Sequence, residues 1–140
     1  MARFTSEEIA YLQSQRLGRL ATVDTKGDLH VVPVGFRYNT EHDAIDIGGH
    51  GFATSKKYRD ALTHGRVAFV VDDIAAPGQP RFVEVRGTVR AETAATADIA
   101  PNVPPAILRI TPTYIVSIGV NDDVVRPSEG RVNYHGRKVE

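Results

Sequence analysis

The stretch that most constrains this chain runs from Ile45 to Asp73, where a strand pattern passes into glycines, then an amphipathic helix, then a second strand. Its middle reads GGHGFATSKKYRDALTHGR, with Thr54-Ser55 directly ahead of Lys56-Lys57. The first N–H groups of a helix lack intrahelical partners and carry partial positive charge, so a helix start is a natural seat for an anion. Lysines in that first turn oppose the same dipole and repel each other unless an anion sits there. On these residues alone two roles stay open. Either Ser55 caps an ordinary surface helix whose lysines serve solubility, or the segment is built for a phosphate. The helix is predicted over Ser55 to Thr63, with Tyr58, Ala61 and Leu62 inward and Gly65 ending it.

What surrounds this stretch must be built from 140 residues, enough for a single domain over 1–140 with a core that needs no staples. There is no cysteine, which excludes disulfides, thiol catalysis and thiolate metal sites and fits an intracellular life. Seventeen basic residues balance seventeen acidic ones, so no net field draws the chain to nucleic acid or an acidic membrane. No apolar run approaches the ~20 residues that span a bilayer. MARFTSEE lacks the apolar core of a secretory signal, and a soluble, cytoplasmic protein is expected.

Taken in order, the chain opens with a capping box: Thr5 as N-cap and Glu8 three residues on, with Phe4 and Ile9 placed as a hydrophobic staple. Ile9, Leu12 and Gln13 continue one face, and the helix fades near Gln15 to Leu17. From Leu17 the period changes to two. GRLATVDT, a turn at Thr25-Lys26-Gly27-Asp28, and LHVVPVGFRY predict a hairpin with positive φ at Gly27. Pro33 has no N–H for a ladder, so it belongs at an edge, at a bulge or facing a cavity. After a turn at Asn39 to Asp43, Ala44 to Gly48 forms a third strand. Arg66 to Asp72 is nearly all apolar, which predicts a central strand covered on both faces. The loop Ile74 to Pro80 holds the Pro77-Gly78 turn. Arg81 to Glu92 alternates as a long strand bent at Gly87. Ala91 to Ala100 is expected to form a short helix, and Ala106 to Val120 a last strand interrupted at Pro112. The polar tail, Asn121 to Glu140, is expected to pack on a neighbour or cover a site. Six or so short strands with two or three peripheral helices indicate a mainly β fold, a small and mostly antiparallel barrel. Neither GxGxxG nor GxxxxGK[ST] occurs.

The order capped helix, LGRLATVDTKGDLHVVPVGFRY, IDIGG, TSKKYRDALTHGRVAFVVDD, RFVEVRGTVR and RITPTYIVSIGV resembles the pyridoxamine 5'-phosphate oxidase-like split barrels. More narrowly, it is similar to their flavin/deazaflavin (F420)-dependent oxidoreductase branch, from Phe4 to Val120. The resemblance implies a six-stranded antiparallel split β-barrel and a homodimer with cofactor sites at the subunit interface. It implies a cofactor phosphate met by Ser55, Lys56 and Lys57, and a ring lying along His30, Val31, Val32, Pro33 and Val34. Gly48 and Gly49 would let the ribityl chain approach the backbone, and Arg81 would lie near the ring edge or the phosphate. Lys57, Arg59 or Arg37 would meet the oligoglutamate tail of F420.

The implied activity is hydride transfer from reduced F420 to a conjugated double bond of a small planar molecule, with the cofactor carrying the chemistry. An FMN-dependent reductase or oxidase uses the same phosphate site, and a non-catalytic carrier of flavin, deazaflavin or haem is the alternative of a different class. A true pyridoxamine phosphate oxidase fits less well, because no second phosphate cluster stands near the C-terminus. No catalytic acid, base or nucleophile stands out. His30 is equally readable as a half-exposed strand residue, and His42, His50, His64 and His135 show no metal-ligand spacing.

Overall fold

The computed structural model describes residues 2–120 and 135–140. Helix α1 (Ser6–Gln13) precedes strands β1 (Leu17–Val23), β2 (Leu29–Asn39) and β3 (Ala44–Gly48). A 3-10 turn (Phe52–Thr54) and α2 (Lys56–His64) follow, then β4 (Arg66–Ala76), β5 (Gln79–Thr93), β6 (Ala106–Ile118) and β7 (His135–Lys138). All pairings are antiparallel in the order β3-β2-β1-β4-β5-β6-β7, and a further β3–β6 pairing closes six strands into a barrel. This is the six-stranded antiparallel split β-barrel expected from the sequence. The split lies on β6: Leu108 to Ile110 pair with β3, whereas Tyr114 to Ser117 pair with β7.

Local chemistry accounts for most elements. The capping box forms as expected: Glu8 N–H donates to Thr5 Oγ1 at 3.1 Å, and Thr5 N–H to Glu8 Oε1 at 2.9 Å. The hairpin turn has Gly27 at φ 85°. The bend expected at Gly87 and the interruption at Pro112 are one feature. Gly87 pairs with Pro112 and Arg86 with Tyr114, so Thr113 is the extra residue of a bulge. A Cβ at Gly87 would stand 2.3 Å from the Thr111 carbonyl oxygen, so the strands approach there too closely for a side chain. Leu20, Phe36, Ile45, Ile47, Phe69, Val85, Ile110 and Ile115 fill the barrel.

Several expectations are corrected. β4 is not covered on both faces: Val67, Phe69 and Val71 point inward, while Ala68 and Val70 are half-buried on the outside. The loop of residues 74–80 shrinks to Pro77-Gly78, because pairing continues to Ala76 and Gln79. Residues 91–100 form no helix. Ala91, Glu92 and Thr93 pair with Leu108, Ile107 and Ala106, and cross-strand pairing overrides alanine's helix preference. On α1 the buried side chains are Glu8, Tyr11 and Leu12, with Gln13 exposed. On α2 they are Asp60 and Ala61, whereas Leu62 is 37% exposed. Of the tail, residues 121–134 lie outside the described residues, and His135 to Lys138 extend this chain's own sheet as β7. No helix among the described residues is long and apolar enough to cross a membrane.

Two buried carboxylates tie the elements together. Asp46, fully buried on β3, accepts from Arg109 on β6 at 2.8 Å and from Arg37 and Asn39 on β2 at 3.0 and 2.8 Å. Glu8, also fully buried, accepts from Arg137 on β7 at 2.6 and 3.0 Å. Burial pushes both carboxyl groups up, but for Asp46 the hydrogen bonds from Arg109, Asn39 and Arg37, and for Glu8 those from Arg137 and Thr5, more than offset it. Both groups therefore hold protons less tightly in the folded chain than in the unfolded one. Their stabilisation is fully present above the ordinary values of 4.5 for Glu8 and 3.8 for Asp46, and is lost as pH falls below them. Thermal melts taken from about pH 7 down to pH 3 should show this loss. Glu8→Gln, which leaves Arg137 without its charge partner, is expected to cost about 3 kcal/mol at neutral pH and to flatten the acid slope.

Candidate functional site

The site originates in the shortness of β3. Residues 29–34 of β2 pair with β1, but β3 joins β2 only from Gly35, which pairs with Gly48. Among the described residues, the stretch Leu29 to Val34 therefore has a strand partner on one side only. Pro33 lies within it, where a missing N–H leaves no ladder bond broken. Beyond Gly48 the chain turns away, with Gly51 at φ 65°, and enters the 3-10 turn and α2.

Two cavities open between that uncovered stretch and the start of α2. One, of about 180 Å³, is lined by Thr22, His30, Val32, Lys56, Lys57 and Asp60. The other, of about 190 Å³, is lined by Pro33 to Gly35, Gly48 to His50, Phe52 and Lys57. Lys57 belongs to both. A path thus runs from the cationic helix start to the backbone around Pro33 and Gly49.

Ser55 is the N-cap of α2: its Oγ accepts from Tyr58 N–H at 3.3 Å and donates to the Phe52 carbonyl at 2.6 Å. Ser55 therefore caps the helix, and the two lysines that follow it differ in their surroundings. Lys56 Nζ lies 2.7 Å from Asp60 and 3.7 Å from Asp24, and the Asp60 carboxylate holds its ammonium above the usual range. Lys57 makes no ion pair among the described residues; its Nζ stands 5.6 Å from the centre of the Phe52 ring. Asp24 is the hub behind them. Its carboxylate accepts from His30 Nε2 at 2.9 Å and from the N–H groups of Asp28 and Lys26 at 3.0 and 2.9 Å. The His30 bond first, then the Asp28 and Lys26 amides and nearby Lys56, hold it down to about 2. His64 Nε2 lies 3.0 Å from the Asp24 carbonyl oxygen.

The structure thus gathers His30, Val32, Pro33, Val34, Gly48, Gly49, Lys56 and Lys57, with Ser55 capping behind them. Gly49 has open space where a Cβ would stand, whereas that position at Gly48 meets Ile99 at 3.3 Å and Ile107 at 3.5 Å. Strand alternation puts Val31 on the opposite face, in an outer groove of about 530 Å³ with Ala21, Ala68, Val70 and Phe82. Arg81 is not brought to the cavities in this chain. It lies beyond the N-terminal end of β1, bound to Asp73 at 2.9 and 2.5 Å and stacked 5.0 Å from the Tyr11 ring centre. Arg37 is committed to Asp46 and Asp98, leaving it no free charge for a ligand's tail. Asp24 and Asp60 escaped sequence reasoning, although Asp60 stands four residues after Lys56, a legible helix ion-pair spacing. Among the described residues no three His, Asp or Glu side chains gather into a metal-binding group.

The donor set suits an anion-bearing planar ligand: lysine ammonium groups, free amides at a helix start, and a strand edge open to in-plane hydrogen bonds. Comparisons with known proteins show the family and the fold. The pyridoxamine 5'-phosphate oxidase family profile matches residues 4–115. The chain is 39% identical over 123 residues to a 5a,11a-dehydrotetracycline/5a,11a-dehydrooxytetracycline reductase of Streptomyces rimosus, covering 86% of this chain and 87% of that protein. A FAD-binding protein from Mycobacterium smegmatis superposes with a TM-score of 0.60 at 25% identity, over 84% of this chain and 96% of the other. An F420 reductase superposes with a TM-score of 0.59 at 22% identity, over 76% and 93%.

Replacing Lys56 and Lys57 together by alanine is expected to weaken binding of a phosphate-bearing ligand by about 1.5–3 kcal/mol per lost charge-assisted contact. Lys57→Ala alone should retain most of that loss, since Asp60 already satisfies Lys56. Fluorescence titration of flavin or deazaflavin, with melting temperature as the folding control, checks both.

Proposed function

The chain belongs to the pyridoxamine 5'-phosphate oxidase family, and from that premise we propose that it is an oxidoreductase that uses reduced coenzyme F420 to reduce a conjugated double bond in a small planar acceptor. The observation that carries this reading is the meeting of the two cavities at Lys57, beside the one-sided stretch of β2. The dehydrotetracycline reductase relative supports the reaction class, since its name specifies reduction of a dehydro compound.

In this proposal Lys57, assisted by Lys56 and the first amides of α2, holds the cofactor's phosphate. The ring lies along His30 to Val34, where the open strand edge offers backbone groups to its heteroatoms. Gly49 lets the connecting chain approach closely. The chemistry that reduced F420 supplies when bound is hydride donation. The protein's part is to orient the acceptor and exclude water, with no covalent nucleophile.

A second copy completes the site. The outer groove carries Val31, 68% exposed, and Leu29 nearby is 80% exposed. Apolar surface of this kind on a β face marks an interaction site. It adjoins the cavities through β2 itself, because Val31 lies between His30 and Val32. A homodimer seated on this groove walls the ring in, and any contribution from Arg81 comes from the second copy.

An FMN-dependent reductase or oxidase is the second reading, favoured by the likeness to the FAD-binding protein. Titrating the purified full chain with F420 and with FMN, then adding conjugated acceptors to the reduced complex, tests both. The expected outcome is tighter binding of F420 and oxidation of its reduced form by 5a,11a-dehydrotetracycline, a quinone or an enone. Binding of FMN alone supports the second reading. Tight binding with no turnover on any acceptor makes the protein a carrier.

A further inference from the structure

We propose that the cavity beside Lys57 selects a singly charged phosphodiester over a doubly charged phosphomonoester, and that Asp60 sets this preference. The inference rests on the reading above, in which that cavity holds a cofactor's phosphate, and it names which kind.

The charges in and behind the cavity pair off. Its ionisable lining consists of His30, Lys56, Lys57 and Asp60. Lys56 is bound to Asp60 at 2.7 Å, and Asp24 holds His30 at 2.9 Å while lying 3.7 Å from Lys56. Asp60 and Asp24 are each only 8% exposed, so bulk water does little to screen them from a ligand in the cavity. Lys57 is left as the cation without a carboxylate partner among the described residues. Counted together, the two lysines and two aspartates cancel, so beyond the Lys57 ammonium no cation in the cavity is left to offset a second negative charge.

A terminal phosphomonoester carries about −1.5 to −2 at neutral pH. Its second charge finds no counter-charge here and meets Asp60 at close range in a partly desolvated site, where like charges repel strongly. A phosphodiester, whose phosphate links onward to a further group, carries a single charge and escapes that penalty. The free amides at the start of α2 attract both esters and do not discriminate between them. Lys56 is in this account a positioning group held by Asp60, and Asp60 is the residue that rejects the second charge.

The test uses the full chain and two probes that share ring and ribityl chain but differ by one charge: FMN, and riboflavin 5'-(methyl phosphate). Dissociation constants are measured by flavin fluorescence at about pH 8, where the monoester is fully ionised. The methyl ester is expected to bind about tenfold more tightly than FMN. Asp60→Asn should bring the ratio close to unity, mainly by improving FMN, while Asp60→Glu should keep the wild-type preference. Wild-type binding that favours FMN, or a ratio unmoved by Asp60→Asn, overturns the proposal. Should Asp60→Asn fail to fold, Asp60→Ser carries the same test and the wild-type ratio decides alone. Lys57→Ala separates the two levels. If both esters bind the variant as they bind wild type, the phosphate lies elsewhere and the functional reading falls too. If both lose affinity in the variant but wild type shows no charge preference, only the present inference falls.

Discussion

The row Arg37–Asp46–Arg109 closes this barrel, and the rest of the structure depends on it. The three residues stand opposite one another on β2, β3 and β6, with Asp46 fully buried between two guanidinium groups. A lone carboxylate there would be prohibitive, whereas one held by two arginines and Asn39 is satisfied. Because β3 ends two residues later at Gly48, closure reaches only part of the way along β2. The open remainder of β2 is the wall of the candidate site. Closing the barrel and exposing the site are thus two consequences of one short strand.

A second constraint acts on the opposite side. β6 pairs with β3 over its first half and with β7 over its second, and Glu8 on α1 anchors β7 through Arg137. The capping box therefore has a tertiary role besides its local one. Glu8 accepts the Thr5 amide and also receives a charge from the far end of the chain. Residues separated by 129 positions in sequence share one buried ion pair.

At the helix start, the residues of the Ser55-Lys56-Lys57 segment have different surroundings. Ser55 caps, Lys56 is paired, and Lys57 has no ion-pair partner among the described residues. Sequence reasoning treats the two lysines as equivalent, although Asp60 at the i+4 position already marks Lys56 for pairing. The difference comes from Asp60, one helical turn from Lys56, and from Asp24, brought in by the β1–β2 hairpin. Likewise the resemblance groups Val31 with His30 and Val32 as one stretch, whereas strand alternation turns it to the other face. The resemblance puts Arg81 near the ring edge or the phosphate, and within one chain it is bound to Asp73.

What the sequence determined by itself is whatever depends on neighbours a few residues apart: the Thr5–Glu8 cap, the Gly27 turn, the Ser55 cap and the existence of the strands. Helix caps, turns and strand periods are short-range physics, and they leave their mark within a window of residues. Only the tertiary structure decided that β5 continues through Ala91 to Thr93, that β4 has one buried face, and that Asp24 joins Asp60 beside Lys56. Each of those outcomes depends on a partner distant in sequence. Pairing energy and charge compensation from such partners exceed the local preferences of the residues concerned.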